Sequence, residues 1–99
     1  PAICGGITNC MRIAALADVY QIRLAPHLWG GPLHFSACLQ ICAVSPAATF
    51  IEYSLGANQL LHKVAEKNFT VENGELVIPS LPGLGIMIDQ GFVEKYTRQ

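Results

Sequence analysis

Ile22-Arg23-Leu24-Ala25-Pro26-His27-Leu28-Trp29-Gly30-Gly31-Pro32-Leu33-His34-Phe35 carries one structural element into the next. The apolar run Ile22 to Ala25 stops at Pro26-His27, and its length and composition predict a strand of a buried parallel sheet. Gly30-Gly31 makes a turn, and Pro32 suits the first turn of a helix. That helix carries Leu33, Phe35, Leu39, Ile41, Cys42 and Val44 and is expected to end near Ser45-Pro46.

The alternation continues on both sides. Pro1 to Cys4 is expected to be the tail of a strand, stopped by Gly5-Gly6. Thr8 is expected to cap a helix running to about Tyr20, with Met11, Ile13, Leu16, Ala17 and Tyr20 mostly on one face. Thr49 to Tyr53 is the next expected strand. Strand tail, helix, strand, helix, strand implies parallel strands with right-handed crossovers, an α/β architecture. After Ser54 the pattern changes. A short helix is predicted from Asn58 to Lys67. Phe69 to Glu72 and Glu75 to Ile78 flank Asn73-Gly74, a two-residue hairpin signal. Pro79 to Gly85 is a stiff loop, followed by a brief strand at Ile86 to Ile88 and a helix from about Asp89. This is α+β material appended to α/β material, with the boundary near 54–57.

The chain has 99 residues, 52% hydrophobic and 13% charged, against roughly 25% charged in an ordinary soluble domain. Mean hydropathy is +0.38. A chain this short has much outside and little inside, so more protein is expected to cover its surface. Four charged residues fall in 1–60 (Arg12, Asp18, Arg23 and Glu52), and nine fall in 61–99. The net charge of −1 offers no basic field for a phosphate backbone, so no nucleic-acid partner is expected. No apolar run reaches the ~18 residues of a membrane span, and no cationic segment precedes an apolar one as in a secretory signal. No membrane partner is expected. The four cysteines form no C-x2-C pair, which disfavours zinc. Reduced, mostly buried thiols and a cytoplasmic location are expected. With Pro1 first and no initiator methionine, the chain is expected to be a processed, cleaved or excised piece.

In parallel βα architectures ligands meet the protein at the C-terminal ends of the strands. His27 and Glu52 fall there. A carboxylate flanked by Phe50, Ile51 and Tyr53 is expected to be desolvated, which would raise its pKa and suit it to donate a proton. It could equally be a structural glutamate held by backbone N–H groups or a salt bridge. His27 titrates near neutrality, and could equally be a packed core histidine. As a pair at neighbouring strand ends, facing one cavity, they suit moving a proton on or off carbon. Trp29 could wall a substrate pocket or pack between domains. His34 reads as structural and His62 as solvated. Gly5-Gly6 and Gly30-Gly31 could open helix N-termini to anions, although tight turns alone explain them.

Gly5-Gly6-Ile7-Thr8, Leu16-Ala17-Asp18-Val19-Tyr20, Ile22 to Trp29, Phe50 to Tyr53 and Ile78 to Ile86 together resemble the C-terminal third of the enolase superfamily. The similarity is to the mandelate racemase/muconate lactonizing enzyme group, particularly its acid-sugar dehydratases. The resemblance implies a modified TIM barrel, (β/α)7β, with a capping domain completed by the C-terminal tail. Residues 1–54 would be the end of the barrel, from the end of strand six to strand eight. Residues 55–99 would be the tail completing barrel and cap. It implies a Mg2+-dependent enzyme that abstracts a proton α to a carboxylate, with the metal ligands and a lysine base upstream of Pro1 and no metal ligand in this chain. His27 matches the family's general base or acid after strand seven. Glu52 matches the glutamate after strand eight, which hydrogen-bonds the enediolate or supplies a proton. The implied partners are the N-terminal remainder of the same enzyme, a small carboxylate or acid-sugar substrate, and further copies of the chain in a homo-oligomer. The histidine's family partner, an aspartate, would directly precede Pro1. Scission at an acid-labile Asp–Pro bond is one expected origin of the chain, which would leave an isolated fragment inactive. Dehydration of an acid sugar is favoured over racemisation or epimerisation of a 2-hydroxy acid. A self-sufficient, non-catalytic interaction module remains the other class, in which His27 and Glu52 are buried structural polars.

Overall fold

Gly5 and Gly6 set how the chain begins. In the computed structural model, which describes residues 1–67 and 69–97, both have positive φ, 83° and 90°, a conformation open to glycine at no steric cost. They turn the chain into helix α1 (Gly6–Val19), with Gly5 at the N-cap and no side-chain cap. Thr8 therefore lies inside the helix and does not cap it. The same turn folds the first residues back, and the Gly6 N–H donates to the Pro1 carbonyl at 2.9 Å. Residues 1–5 are a turn and not the expected strand tail, because none of the described strands runs beside them to complete a ladder.

The buried stripe of α1 is also not the expected one. Ala14 is buried, with Cys10, Met11 and Ala17 half-buried, while Ile13, Leu16 and Tyr20 are exposed. Small residues at 10, 14 and 17 share a face at helical spacing, and α1 packs against α2. Helix α2 (Pro32–Val44) starts as predicted, with Gly31 at the N-cap and Pro32 in the first turn. It buries Phe35, Ser36, Ala37, Cys38, Leu39 and Ile41, on more than one face, as expected of a helix at the centre of a core.

Of the two expected strands, 22–25 keeps one parallel bridge, Leu24 to Ala48, with the Leu24 N–H donating to the Ala47 carbonyl at 2.8 Å, and 49–53 forms none, the bridge falling one residue before it. The direction is as expected, but the length is not. Among the described residues neither segment has a second β partner, and a lone parallel pair has too few ladder bonds to hold itself extended. Ile22, Arg23 and Ala25 are accordingly exposed.

The later part closes on itself. Helix α3 (Gln59–His62) begins where the Asn58 side chain accepts the Leu60 N–H at 2.9 Å. It stops well short of Lys67, because the following backbone is drawn into an antiparallel bridge between Ala65 and Ile88. There Glu66 N–H donates to the Met87 carbonyl and Asp89 N–H to the Val64 carbonyl, each at 2.9 Å. The expected strand at 86–88 is this single bridge. Strands β1 (Val71–Glu72) and β2 (Glu75–Leu76) form the hairpin. Positive φ at both Asn73 (51°) and Gly74 (82°) gives the type I′ turn that the pair predicts. Helix α4 (Gln90–Tyr96) is capped by Asp89, whose carboxylate accepts the Phe92 N–H at 2.9 Å.

Leu28, Phe35, Cys38 and Leu39 form the core cluster, with Ile51, Tyr53, Phe69 and Leu76 against it. The Phe35 ring lies 5.0 Å from Tyr53 and 4.4 Å from Phe69 between centroids, so one aromatic joins α2 to the tail. The buried Ser36 hydroxyl donates to the Leu84 carbonyl, tying α2 to the loop 79–85. The accessible surface is 7105 Å2, against about 5,500 Å2 for a compact monomer of this mass. The radius of gyration is 14.3 Å, against about 12.6 Å for a compact domain. Ile3, Leu16, Ile22, Phe50 and Leu55 stand exposed.

Candidate active site

The two segments leave the Leu24–Ala48 bridge in the same direction. His27 follows by three residues and Glu52 by four, and their side chains meet. His27 Nδ1 stands 2.7 Å from Glu52 Oε2. The Leu28 backbone N–H donates to the same oxygen at 2.9 Å. That N–H bond, together with the His27 contact, holds the Glu52 carboxyl below the usual carboxylate range.

This corrects the expectation of a raised pKa for Glu52. The apolar neighbours do not bury the carboxylate: Phe50 is exposed, Ile51 and Tyr53 are half-buried, and the Glu52 side chain keeps 43% of its surface. Hydrogen bonds to the charged form outweigh what desolvation there is. An ionised carboxylate only accepts, so His27 Nδ1 carries the hydrogen and donates it. Nε2 of the neutral ring is left with its lone pair. The expected acid and base facing one cavity are instead a bonded pair, in which Glu52 orients the ring and His27 presents a base.

His27 and His34 both line a cavity of about 290 Å3, together with Pro26, Cys10 and Cys38. Burial holds the His34 imidazole below its usual range. Its ring packs against Gly30, where an added Cβ would clash with His34 Nδ1. Trp29 is 70% exposed, whereas Leu28 between it and His27 is 3% exposed. His62 is not simply solvated. It is half-buried, its Nε2 lies 2.9 Å from the Gly56 carbonyl and its ring meets Tyr53 edge-on. A second cavity of about 360 Å3 in the tail includes neither His27 nor Glu52 in its lining.

The four thiols are free. Cys38 is buried, Cys10 and Cys42 are half-buried, and Cys4 is exposed by the opening turn, so they are not mostly buried. Burial pushes the Cys38 thiol up and the Cys42 thiol to about 11, which disfavours the reactive thiolate. Among the described residues no group of three or more His, Cys, Asp or Glu is disposed to hold a metal ion. Glu52 Oε2 already serves two donors, so these residues do not by themselves fit the implied Mg2+. No helix is long and apolar enough to cross a membrane among the described residues.

The alternative of a Glu52 held by a backbone N–H and an ion-pair partner is what the structure has; which N–H serves, that of Leu28, is what residue type does not reveal. The pattern of side chains missed the contact of His34 with Gly30, for which the signal was a glycine four residues before a histidine at a helix start.

The family described as enolase C-terminal domain-like matches residues 1–92. D-galactonate dehydratase of Ralstonia pickettii is 42% identical over 101 aligned positions, covering 96% of this chain and 26% of that protein. The chain thus spans about a quarter of the curated relatives it matches. Among solved structures, a member of the enolase superfamily from Polaromonas sp. JS666 superposes with a TM-score of 0.85 at 31% identity, covering 97% of this chain and 26% of that one. A mandelate racemase/muconate lactonizing enzyme from Sulfitobacter sp. superposes at 0.81 and 30% identity, with 95% and 24% covered.

Proposed function

The chain belongs to the enolase C-terminal domain-like family, and from that premise we propose that it is the C-terminal part of an acid-sugar dehydratase. In this proposal residues 1–54 complete the barrel and residues 55–99 complete barrel and cap. The substrate is a polyhydroxy carboxylate such as D-galactonate, the substrate named for the relative at 42% identity. The partners are the N-terminal remainder of the enzyme and further copies of it. The Mg2+ ligands are carboxylates outside these 99 residues.

The observation that carries the reading is the 2.7 Å contact of His27 Nδ1 with Glu52 Oε2. It fixes the tautomer and frees Nε2 as a base. The Nε2 lone pair takes the proton from the carbon α to the carboxylate. The electron pair left behind expels the β-hydroxyl, which leaves as water with a proton that the imidazolium can return. The enol product then ketonises. Glu52 stays ionised throughout and stabilises the imidazolium. Trp29 is assigned to the substrate side of the site.

The test uses the full-length enzyme with D-galactonate. His27→Asn should abolish water loss and leave the melting temperature near wild type. Turnover at the wild-type rate would remove His27 from the mechanism. Racemisation or epimerisation of a 2-hydroxy acid is the second reading, favoured by a solved neighbour from Bordetella bronchiseptica RB50 whose description names a mandelate racemase. In D2O a racemase returns deuterated substrate without forming a 2-keto product, and a dehydratase accumulates that product. A cooperative thermal transition of the 99 residues alone would favour the interaction module instead.

A further inference from the structure

Trp29 is the single tryptophan of the chain and one of its exposed large hydrophobic residues. It is 70% exposed, yet it sits on a loop pinned on both sides. Before it, Leu28 is buried in the core cluster and its N–H is bonded to Glu52 at 2.9 Å. After it, Gly30 lies flush against the His34 ring, leaving no room for a Cβ. Burial alternates along the three residues: His27 out, Leu28 in, Trp29 out. The exposed His27 and Trp29 flank the buried Leu28, so both rings stand on the solvent side of the loop. A large, stiff, amphipathic ring on a fixed backbone costs little ordering entropy on contact.

We infer that Trp29 is a specificity-determining residue whose indole stacks on the carbon chain of an acid sugar, beyond the carbon that loses its proton. The inference rests on the acid-sugar reading and deepens it. The C–H groups of a polyol form an apolar strip between the hydroxyls, and an aromatic face covers that strip while the hydroxyls stay bonded elsewhere. His27 engages the α-carbon, so the ring two residues on is placed for the more distant carbons. A six-carbon acid would reach it, and a four-carbon acid would not.

The test uses the full-length enzyme and the variants Trp29→Ala and Trp29→Phe. Loss of the ring should raise KM for D-galactonate about tenfold, the scale of a lost apolar contact in a binding pocket. kcat should stay within about twofold, and phenylalanine should restore most of the affinity. The four-carbon aldonate should lose little, so the preference for six carbons over four collapses. A residue that only packs against the rest of the enzyme would lower the melting temperature and leave that preference unchanged, which would overturn the inference. Equilibrium binding of four- to six-carbon aldonates and aldarates to the His27→Asn enzyme separates the two claims. If D-galactonate is not dehydrated but another six-carbon acid binds, and binds about tenfold more weakly without Trp29, the stacking stands and the galactonate reading falls. If a six-carbon acid binds equally well without Trp29, the stacking falls alone. If no acid sugar binds, both fall.

Discussion

Residues 1–54 and residues 55–97 are built on different terms. The first region has four charged residues, two long helices and two would-be strands that touch at one bridge. The second has short elements that each close within a few residues: an Asn58-capped turn of helix, a type I′ hairpin and an Asp89-capped helix. An element that satisfies its own backbone forms inside the chain. A parallel strand forms within a larger sheet whose two faces are covered, and among the described residues these segments share a single bridge. The candidate site follows the same division. The His27–Glu52 pair stands just past the bridge where the extended segments run out, because strand ends bring distant positions together, and the tail supplies local structure.

The largest effect should fall on this functional contrast. In the full-length enzyme His27→Asn should lower kcat/KM by about 10²- to 10⁴-fold, the usual worth of a positioned acid or base. His62→Asn, a histidine of the second region that bonds a carbonyl and an aromatic edge, should leave kcat within about twofold. Comparable losses from both would break the contrast.

Next in size is the seam. Phe35 contacts Tyr53 of the first region and Phe69 of the second. Phe35→Ala should destabilise the full-length enzyme by about 3–5 kcal/mol through lost burial and a cavity. Urea unfolding monitored by circular dichroism measures it. A loss under about 1 kcal/mol would mean that the two regions do not share a core through this ring.

Much of this was legible, for physical reasons that differ by residue. Gly31-Pro32 announces α2 because proline is preorganised at a helix start, and Asn73-Gly74 announces its turn because both positions need positive φ. Position and residue type brought out His27 and Glu52 together. Their roles relative to one another were not legible. The apolar neighbours of Glu52 pointed to desolvation, whereas its charge state depends on a backbone N–H at Leu28, twenty-four residues away. Strand lengths at 22–25 and 49–53 were overestimated because hydrophobicity reports what a segment prefers to bury, not whether a partner lies beside it. The α1 stripe was misplaced for a related reason. Small residues allow close helix approach, and bulk alone had suggested Ile13 and Leu16.

The charge state of Glu52 gives a sharper and smaller test. Its folded pKa is depressed, so its contribution to stability is present above the unfolded carboxylate value of about 4.3 and is lost as pH falls through the lower folded value. Between pH 5 and 8 the carboxylate should show no titration. Carboxyl 13C shifts in selectively labelled full-length enzyme read this directly, with Glu52→Gln assigning the signal. An inflection above pH 5 with the full span of carboxyl protonation, larger than the shift a bonded imidazole induces, would favour a proton-donor Glu52 instead.

The smallest effects concern caps, where the two regions differ most cleanly. Asp89 accepts the Phe92 N–H at 2.9 Å, satisfying a donor that α4 otherwise leaves open, and Asp89→Ala should cost about 0.5–2 kcal/mol. Thr8 occupies an equally cap-like place in the sequence but lies inside α1, where Gly5 is the N-cap without a side-chain bond. Thr8→Ala should therefore be neutral or slightly stabilising, since alanine is the better helix former by up to ~0.7 kcal/mol. Paired melting curves of the two variants in the full-length enzyme decide between the arrangements. A Thr8→Ala penalty as large as that of Asp89→Ala would mean that α1 starts at Thr8 in the complete enzyme. The turn at Gly5-Gly6 would then open, freeing Pro1 to Cys4 to extend as a strand.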